Sequence, residues 1–278
     1  MTSKAGLAET TAGRQRAEGR IAFTVERMGP RSGIRRLAES GSARLRLPRI
    51  RDAAPEGVII NTAGGIAAGD RFTTVIALRP EAEFVLTTAA AEKIYRSDGA
   101  TAEIVARIAL GPRARLEWLP QEAILFDRAR LLRRLDVDLD PTASVLLFEA
   151  VVFGRAASGE VVESGLFEDR WRVRRGGRLV YADTFRLEGP IAARLARPEV
   201  AAGGRALATL LYVAPDAEAR LDQAREHLAG VTSECGASAW DGCLAVRWLA
   251  ADIGTLRRDA ARFMTAFRGR ALPRVWLL

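Results

Sequence analysis

Asn61-Thr62-Ala63-Gly64-Gly65-Ile66-Ala67-Ala68-Gly69-Asp70 runs directly into Arg71-Phe72-Thr73-Thr74-Val75-Ile76-Ala77-Leu78. Glycine supplies positive φ or room for another backbone, so Gly64-Gly65 and Gly69 read as two bends around a short apolar piece. A phosphate-binding P-loop needs Gly-Lys-Ser/Thr at its end, and a dinucleotide fingerprint needs Gly-x-Gly-x-x-Gly opening a helix; neither is present. Phe72 to Leu78 is rich in β-formers and is bounded by Pro80, so a strand follows the glycines. A tight turn between strands accounts for these glycines by itself.

The same cadence continues outward. Strand-like runs recur at Ile21 to Val25, Phe84 to Thr88, Thr101 to Leu110, Leu131 to Leu139, Ser144 to Phe153 and Leu179 to Leu187. Ser144 to Phe153 is nearly continuously apolar, as a central strand buried on both faces requires. Helical periods come late. Asp216 is expected to cap a helix carrying Ala217, Leu221, Ala224 and Leu228 on one face, and Asp252 to cap another carrying Ile253, Leu256, Ala260, Phe263 and Phe267. The fold class is therefore mainly β with a few α-helices, mostly in the C-terminal third.

Three further stretches carry a likeness: Leu86-Thr87-Thr88-Ala89-Ala90-Ala91-Glu92-Lys93-Ile94-Tyr95-Arg96-Ser97, then Leu116-Glu117-Trp118-Leu119-Pro120-Gln121-Glu122-Ala123-Ile124-Leu125-Phe126-Asp127, then Phe153-Gly154-Arg155. With the closing Leu272-Pro273-Arg274-Val275-Trp276, they resemble the urease accessory protein family UreD (UreH) in order, from about Gly19 to Trp276. Ala63 and Ala68 stand where the family pattern commonly has Ser and Gly. The resemblance implies a layered, helix-like multi-strand β fold. It also implies a non-enzymatic scaffold that binds UreF, and through it the GTPase UreG, and docks them on apo-urease so that nickel reaches the active site. No Walker motif is present, so GTP hydrolysis falls to the partner.

Composition bears on the classes this leaves open. The chain has 278 residues with 49% hydrophobic content, enough for a sizeable core. We expect a tail over 1–19 and one domain over 20–278, since the first nineteen residues lack the apolar core of a secretory signal. No run of about eighteen apolar residues exists, so no membrane span is expected and the cytoplasm is the default. The net charge of +8 invites a nucleic-acid reading. However, the arginines of Arg44-Leu45-Arg46-Leu47 and Arg170-Trp171-Arg172-Val173-Arg174 alternate with apolar residues, as on the solvent face of a half-buried strand. No nucleic-acid partner is therefore expected. Cys235 and Cys243 match no zinc spacing and read as reduced thiols.

Catalysis by a nucleophile and histidine has only His227 to draw on, read as a surface residue. Carboxylate chemistry would need Glu117, Glu122, Asp127 and Glu149 to converge; each is also read as an arginine partner. One histidine and two cysteines make a tight nickel cage unexpected, because imidazole and thiolate suit nickel and carboxylates bind it more weakly. No tightly bound cofactor is expected. Weak carboxylate contacts suit transient passage of Ni2+ instead.

The resemblance implies Asp70, Glu149 and Glu188 as transit-type metal candidates, with Glu92 and Lys93 before Tyr95 as further route-lining or structural polar groups. Lys93 is also read as neutralising a neighbour. Asn61, Gly64, Gly65 and Gly69 form the motif around Asp70. Pro120 breaks a strand, Gln121 and Glu122 offer directional contacts, and Ile124-Leu125-Phe126 is either an interface anchor or a core strand. Tyr95-Arg96 and Phe153-Gly154-Arg155 each place an aromatic near an arginine, as interface residues or as stacked structural groups. A metallochaperone carrying nickel itself is the alternative function, and a basic nucleic-acid-binding protein a further one.

Overall fold

A computed structural model describes residues 16–49, 54–155 and 158–277. Most of the expected N-terminal tail lies outside the described residues, and the first strand already opens at Glu18. One sheet, here sheet A, contains β1 (Glu18–Met28), β2 (Arg31–Gly41), β5 (Arg71–Leu78), β8 (Ala102–Leu110), β11 (Arg130–Leu139), β13 (Gly165–Arg175) and β14 (Arg178–Gly189). Sheet B contains β3 (Ala43–Arg46), β4 (Glu56–Asn61), β6 (Glu83–Thr88), β7 (Glu92–Ile94), β9 (Arg115–Leu119), β10 (Ala123–Leu125), β12 (Ser144–Phe153), β15 (Ala206–Val213), β16 (Glu234–Trp240) and β17 (Cys243–Ala250).

The chain climbs by laying strands alternately in each sheet. β1, β5, β8, β11 and β13 are parallel neighbours in sheet A, and β4, β6, β9 and β12 are parallel neighbours in sheet B. This is the layered, solenoid-like β arrangement that the resemblance implies. Antiparallel β2 and β14 close the two ends of sheet A, and the antiparallel run β12-β15-β17-β16 extends sheet B. In-register pairing makes apolar ladders, such as Phe23, Ile76, Ile108, Val137 and Val173. Trp171 and Val173 are buried while Arg174 is exposed, as the alternation predicts.

Two apolar clusters fill the space between the sheets. One surrounds Leu135, Leu147 and Trp171; the other surrounds Leu131, Val151 and Phe167. A third cluster lies on the outer face of sheet B, where α2 (Leu221–Leu228) and α3 (Ile253–Arg268) cover Phe148 and Trp248. Asp252 caps α3 as expected, accepting from Thr255 N at 2.9 Å, and Gly269 at φ +65° ends it. Asp216 does not cap α2. It accepts from Tyr212 Oη at 2.8 Å, and a 3-10 turn over Glu218–Arg220 leads into the helix. The remaining helix, α1 (Ile191–Leu195), follows Pro190. Among the described residues no helix is long and apolar enough to cross a membrane.

Candidate functional site

The glycine motif is a bowed-out segment between β4 and the isolated bridge that pairs Ile66 with Ile94. The next two turns bow out at the same level, at Thr88 to Glu92 between β6 and β7, and at Leu119 to Ala123 between β9 and β10. β12 passes this level unbroken, pairing with β9 through Leu147 and with β10 from Val151, so that Glu149 faces the gap. The three bows are tied together. Asn61 Nδ2 donates to Glu92 Oε1 and to the Gly65 carbonyl, both at 3.0 Å, Glu92 N donates to the Glu122 carbonyl at 2.9 Å, and Gln121 N donates to Thr88 Oγ1 at 2.9 Å.

Behind the bows lies a cavity of about 90 Å3 lined by Asn61, Thr74, Thr88, Glu92, Trp118 and Gln121, with Arg133 and Glu149 at its inner wall. A wider cleft of about 560 Å3 adjoins it, lined by Asp169, Asp183, Thr209, Glu234, Cys235 and Arg247. Arg133 and Glu149 line both.

These two residues belong to a buried polar layer that divides the apolar interior. Arg133 Nη1 donates to Glu149 Oε2 at 2.5 Å, and its Nε and Nη2 donate to Asp169 Oδ1 and Oδ2 at 3.0 and 2.6 Å. Trp118 Nε1 donates to Glu149 Oε1 at 2.8 Å. A guanidinium fork matches carboxylates in this way, and buried charges persist only when paired. Burial pushes the Glu149 carboxyl up to about 7, and the Asp169 charge adds to this while Arg133 and Trp118 oppose it. Burial disfavours the Arg133 cation too, but Asp169 and Glu149 more than reverse that, and it stays charged. Burial likewise pushes Glu92 up to about 7 against the hydrogen bond from Asn61.

The other expected positions separate from this layer. Asp70 is buried, and its two oxygens accept from Ala17 N and Ala67 N, both at 2.7 Å. It anchors the start of β1 to the glycine motif and lines neither cavity. Glu188 is on the surface, where Arg186 Nη2 donates to it at 2.6 Å and holds its carboxyl below the usual range. Lys93 and Arg96 are exposed. Gly64, Gly65 and Gly69 all have positive φ, and Tyr95 covers the motif, its Oη donating to the Gly64 carbonyl at 2.9 Å. Tyr95 meets Phe126 edge-on at 5.1 Å, and the Arg155 guanidinium lies 4.2 Å over Phe126. Arg155 thus stacks on Phe126 rather than on Phe153, which packs against Phe167, and Arg96 stands outside this stack.

Pro120 and Gln121 are buried. Gln121 Nε2 donates to the Val275 carbonyl at 2.7 Å, while Arg257 donates to Gln121 Oε1, to Glu122 Oε2 at 2.9 Å and to the Trp276 carbonyl at 3.0 Å. This motif pins the C-terminal segment against sheet B, and Leu125 is fully buried as a core strand residue. Glu117, Glu122, Asp127 and Glu149 do not converge. Glu117 pairs with Arg268 and Arg270, Glu122 with Arg257, and Asp127 accepts from Ser164 N. His227 is half-buried rather than on the surface, with its ring edge towards Phe263. Both cysteines are free. Among the described residues no group of three or more His, Cys, Asp and Glu side chains is placed to hold a metal ion.

Arg133 and Asp169 are absent from the expected site, although their sequence phase marks them. Arg133 alternates with Leu131, Leu135 and Val137, and Asp169 with Phe167 and Trp171, so each charge occupies a core-facing position.

The sequence profile of the UreD urease accessory protein family matches residues 16–277. The chain belongs to the UreD family. Proteins named urease accessory protein UreD are similar over nearly their whole length. That of Azorhizobium caulinodans is 57% identical over 265 residues, covering 95% of this chain and 98% of the relative. That of Xanthobacter autotrophicus is 56% identical over 265 residues, covering 95% and 91%. That of Bradyrhizobium diazoefficiens is 50% identical over 265 residues, covering 94% of each. Membership in UreD assigns the chain an accessory role in urease maturation.

Proposed function

We propose that this UreD chain is a non-catalytic, cytoplasmic scaffold that binds UreF, and through it UreG, docks on apo-urease, and passes nickel along the polar layer between its sheets. The observation that carries the route is the Glu149 carboxylate, buried in an apolar interior yet shared by two adjoining cavities, one of which Glu92 also lines and the other Asp169. Carboxylate oxygens are hard ligands for nickel, so they suit an ion that must leave again. Glu149 and Glu92 are the route carboxylates in this reading. Asp70 holds backbone and Glu188 lies on the surface, so neither is assigned to it.

Co-expression of the tagged chain with UreF, UreG and apo-urease, followed by activation in nickel, tests the proposal. Glu149→Gln is expected to keep UreF in the pull-down and to lower activation at limiting nickel about tenfold, while Glu188→Gln leaves both unchanged. Full activation by Glu149→Gln would remove Glu149 from the route. Loss of UreF together with activation would make its role structural.

A further inference from the structure

One buried cation stands where the two cavities meet. Arg133 is only 6% exposed, lines both spaces and bridges Glu149 on sheet B to Asp169 on its own sheet. Its guanidinium therefore occupies the carboxylate oxygens that a divalent cation passing this level would use. A metal ion beside the guanidinium meets like charge at close range with little solvent to screen it. Conversely, a guanidinium that leaves alone strands two carboxylates in an apolar interior, which buried charges do not tolerate.

We propose that Arg133 is an exchangeable bolt: a divalent cation crosses between the cavities only by displacing the guanidinium from Glu149 and Asp169, so that these carboxylates hold one cation at a time. The inference rests on the route proposed above and adds its gate. The displaced side chain has room, since the wider cleft it already lines measures about 560 Å3 and carries the exposed carboxylate Glu234, together with Asp183, whose Oδ2 already accepts from Arg247 at 2.6 Å. The Phe167 ring, 5.5 Å from the guanidinium carbon, offers a cation–π contact on the same side.

The test is nickel binding by the purified full-length chain, measured by equilibrium dialysis with nickel chloride, alongside the activation assay. Arg133→Met leaves Glu149 and Asp169 without their cation and is expected to bind one Ni2+ at least tenfold more tightly than wild type. The gain should disappear when Glu149→Gln and Asp169→Asn are added. A role of Arg133 in packing alone predicts no gain. Should Arg133→Met fail to fold, Arg133→Lys takes its place. Lysine keeps the charge but lacks the fork that reaches both carboxylates, and a gain of about threefold is expected. Nickel affinity equal to wild type in the folded variant overturns the bolt. Unchanged activation in Glu149→Gln removes Glu149 from the route by itself, whatever the dialysis shows.

Discussion

Glu92 and Glu149 are both lifted to about 7 by burial, but they differ in company: Glu149 has a guanidinium at 2.5 Å, whereas among the described residues the Glu92 carboxyl accepts only from the amide of Asn61. Glu92 thus carries a penalty that depends on pH. Its folded pKa lies above the ordinary value of 4.5, so its contribution to stability is fully present below about pH 4.5 and is lost as pH rises through 7. Glu92→Gln keeps an acceptor for Asn61 and does not titrate. Between pH 5 and pH 8 the variant is expected to gain roughly 1–2 kcal/mol on wild type, after allowing for residual solvent around the carboxylate. Urea unfolding of both proteins at the two pH values checks this, since all other titrating groups are common to both; a constant difference would refute it. At this scale, residue type alone was a partial guide. Asp70, Glu149 and Glu188 are all acids within strand-rich sequence, yet backbone amides, a buried arginine and a surface arginine claim them in turn. What distinguishes them is phase. Glu149 lies in a strand buried on both faces and shares the side of Leu147 and Val151, so it must face the space between the sheets, whereas Asp70 lies in a bend where alternation has no meaning.

At the scale of elements, the bowed segments show how a motif can be legible while its purpose is not. The glycines of Asn61 to Asp70 announce unusual backbone, and the structure places Gly64 at φ +77° and Gly65 at φ +146°. That the following turns bow out at the same level depends on pairing between residues about thirty positions apart, which local patterning does not encode. β16 is equally hidden, because the small residues in Glu234–Trp240 give a weak strand signal. The helix over Asp252 was plain, since cap and apolar stripe agree; at Asp216 a tyrosine hydroxyl takes the side chain that a cap would use. The motif itself yields a prediction. A Cβ on Gly65 would lie 2.4 Å from the Tyr95 ring and 3.0 Å from the Lys93 carbonyl, whereas nothing lies within 4 Å of one on Gly64. Gly65→Ala is expected to cost about 2–3 kcal/mol, combining the positive φ with the collision, and Gly64→Ala about 1 kcal/mol from φ alone. Equal urea midpoints for the two variants would show that Tyr95 does not clamp the loop.

Across the whole molecule, stacking makes each inner turn depend on two neighbours while the outermost strands have one. β8 and β11 are each flanked by parallel partners, and β12 lies between β9 and β15 with nearly every residue buried. By contrast β2 and β16 are terminal in their sheets and mostly exposed along their length. An edge strand opens by breaking one ladder and wetting little apolar surface, so its exchange reports local opening; an inner strand must wait for larger units to separate. The C-terminal segment reinforces the inner side, because Arg257 and Gln121 tie it across the bow between β9 and β10. Amide hydrogen exchange is therefore expected to be slowest in β11 and β12, on the order of a thousandfold slower than in β2 and β16, with β9 protected alongside β12. Arg257→Met removes three ties at one end of that bow and should raise exchange in β10 and the 274–277 turn before it reaches β11. Uniform exchange across β2, β11, β12 and β16 would mean that the molecule opens as a single unit. The polar layer at Arg133 would then be reached from solvent along the wider cleft, whose lining includes the exposed Glu234 and Cys235, and not by local opening of the strands.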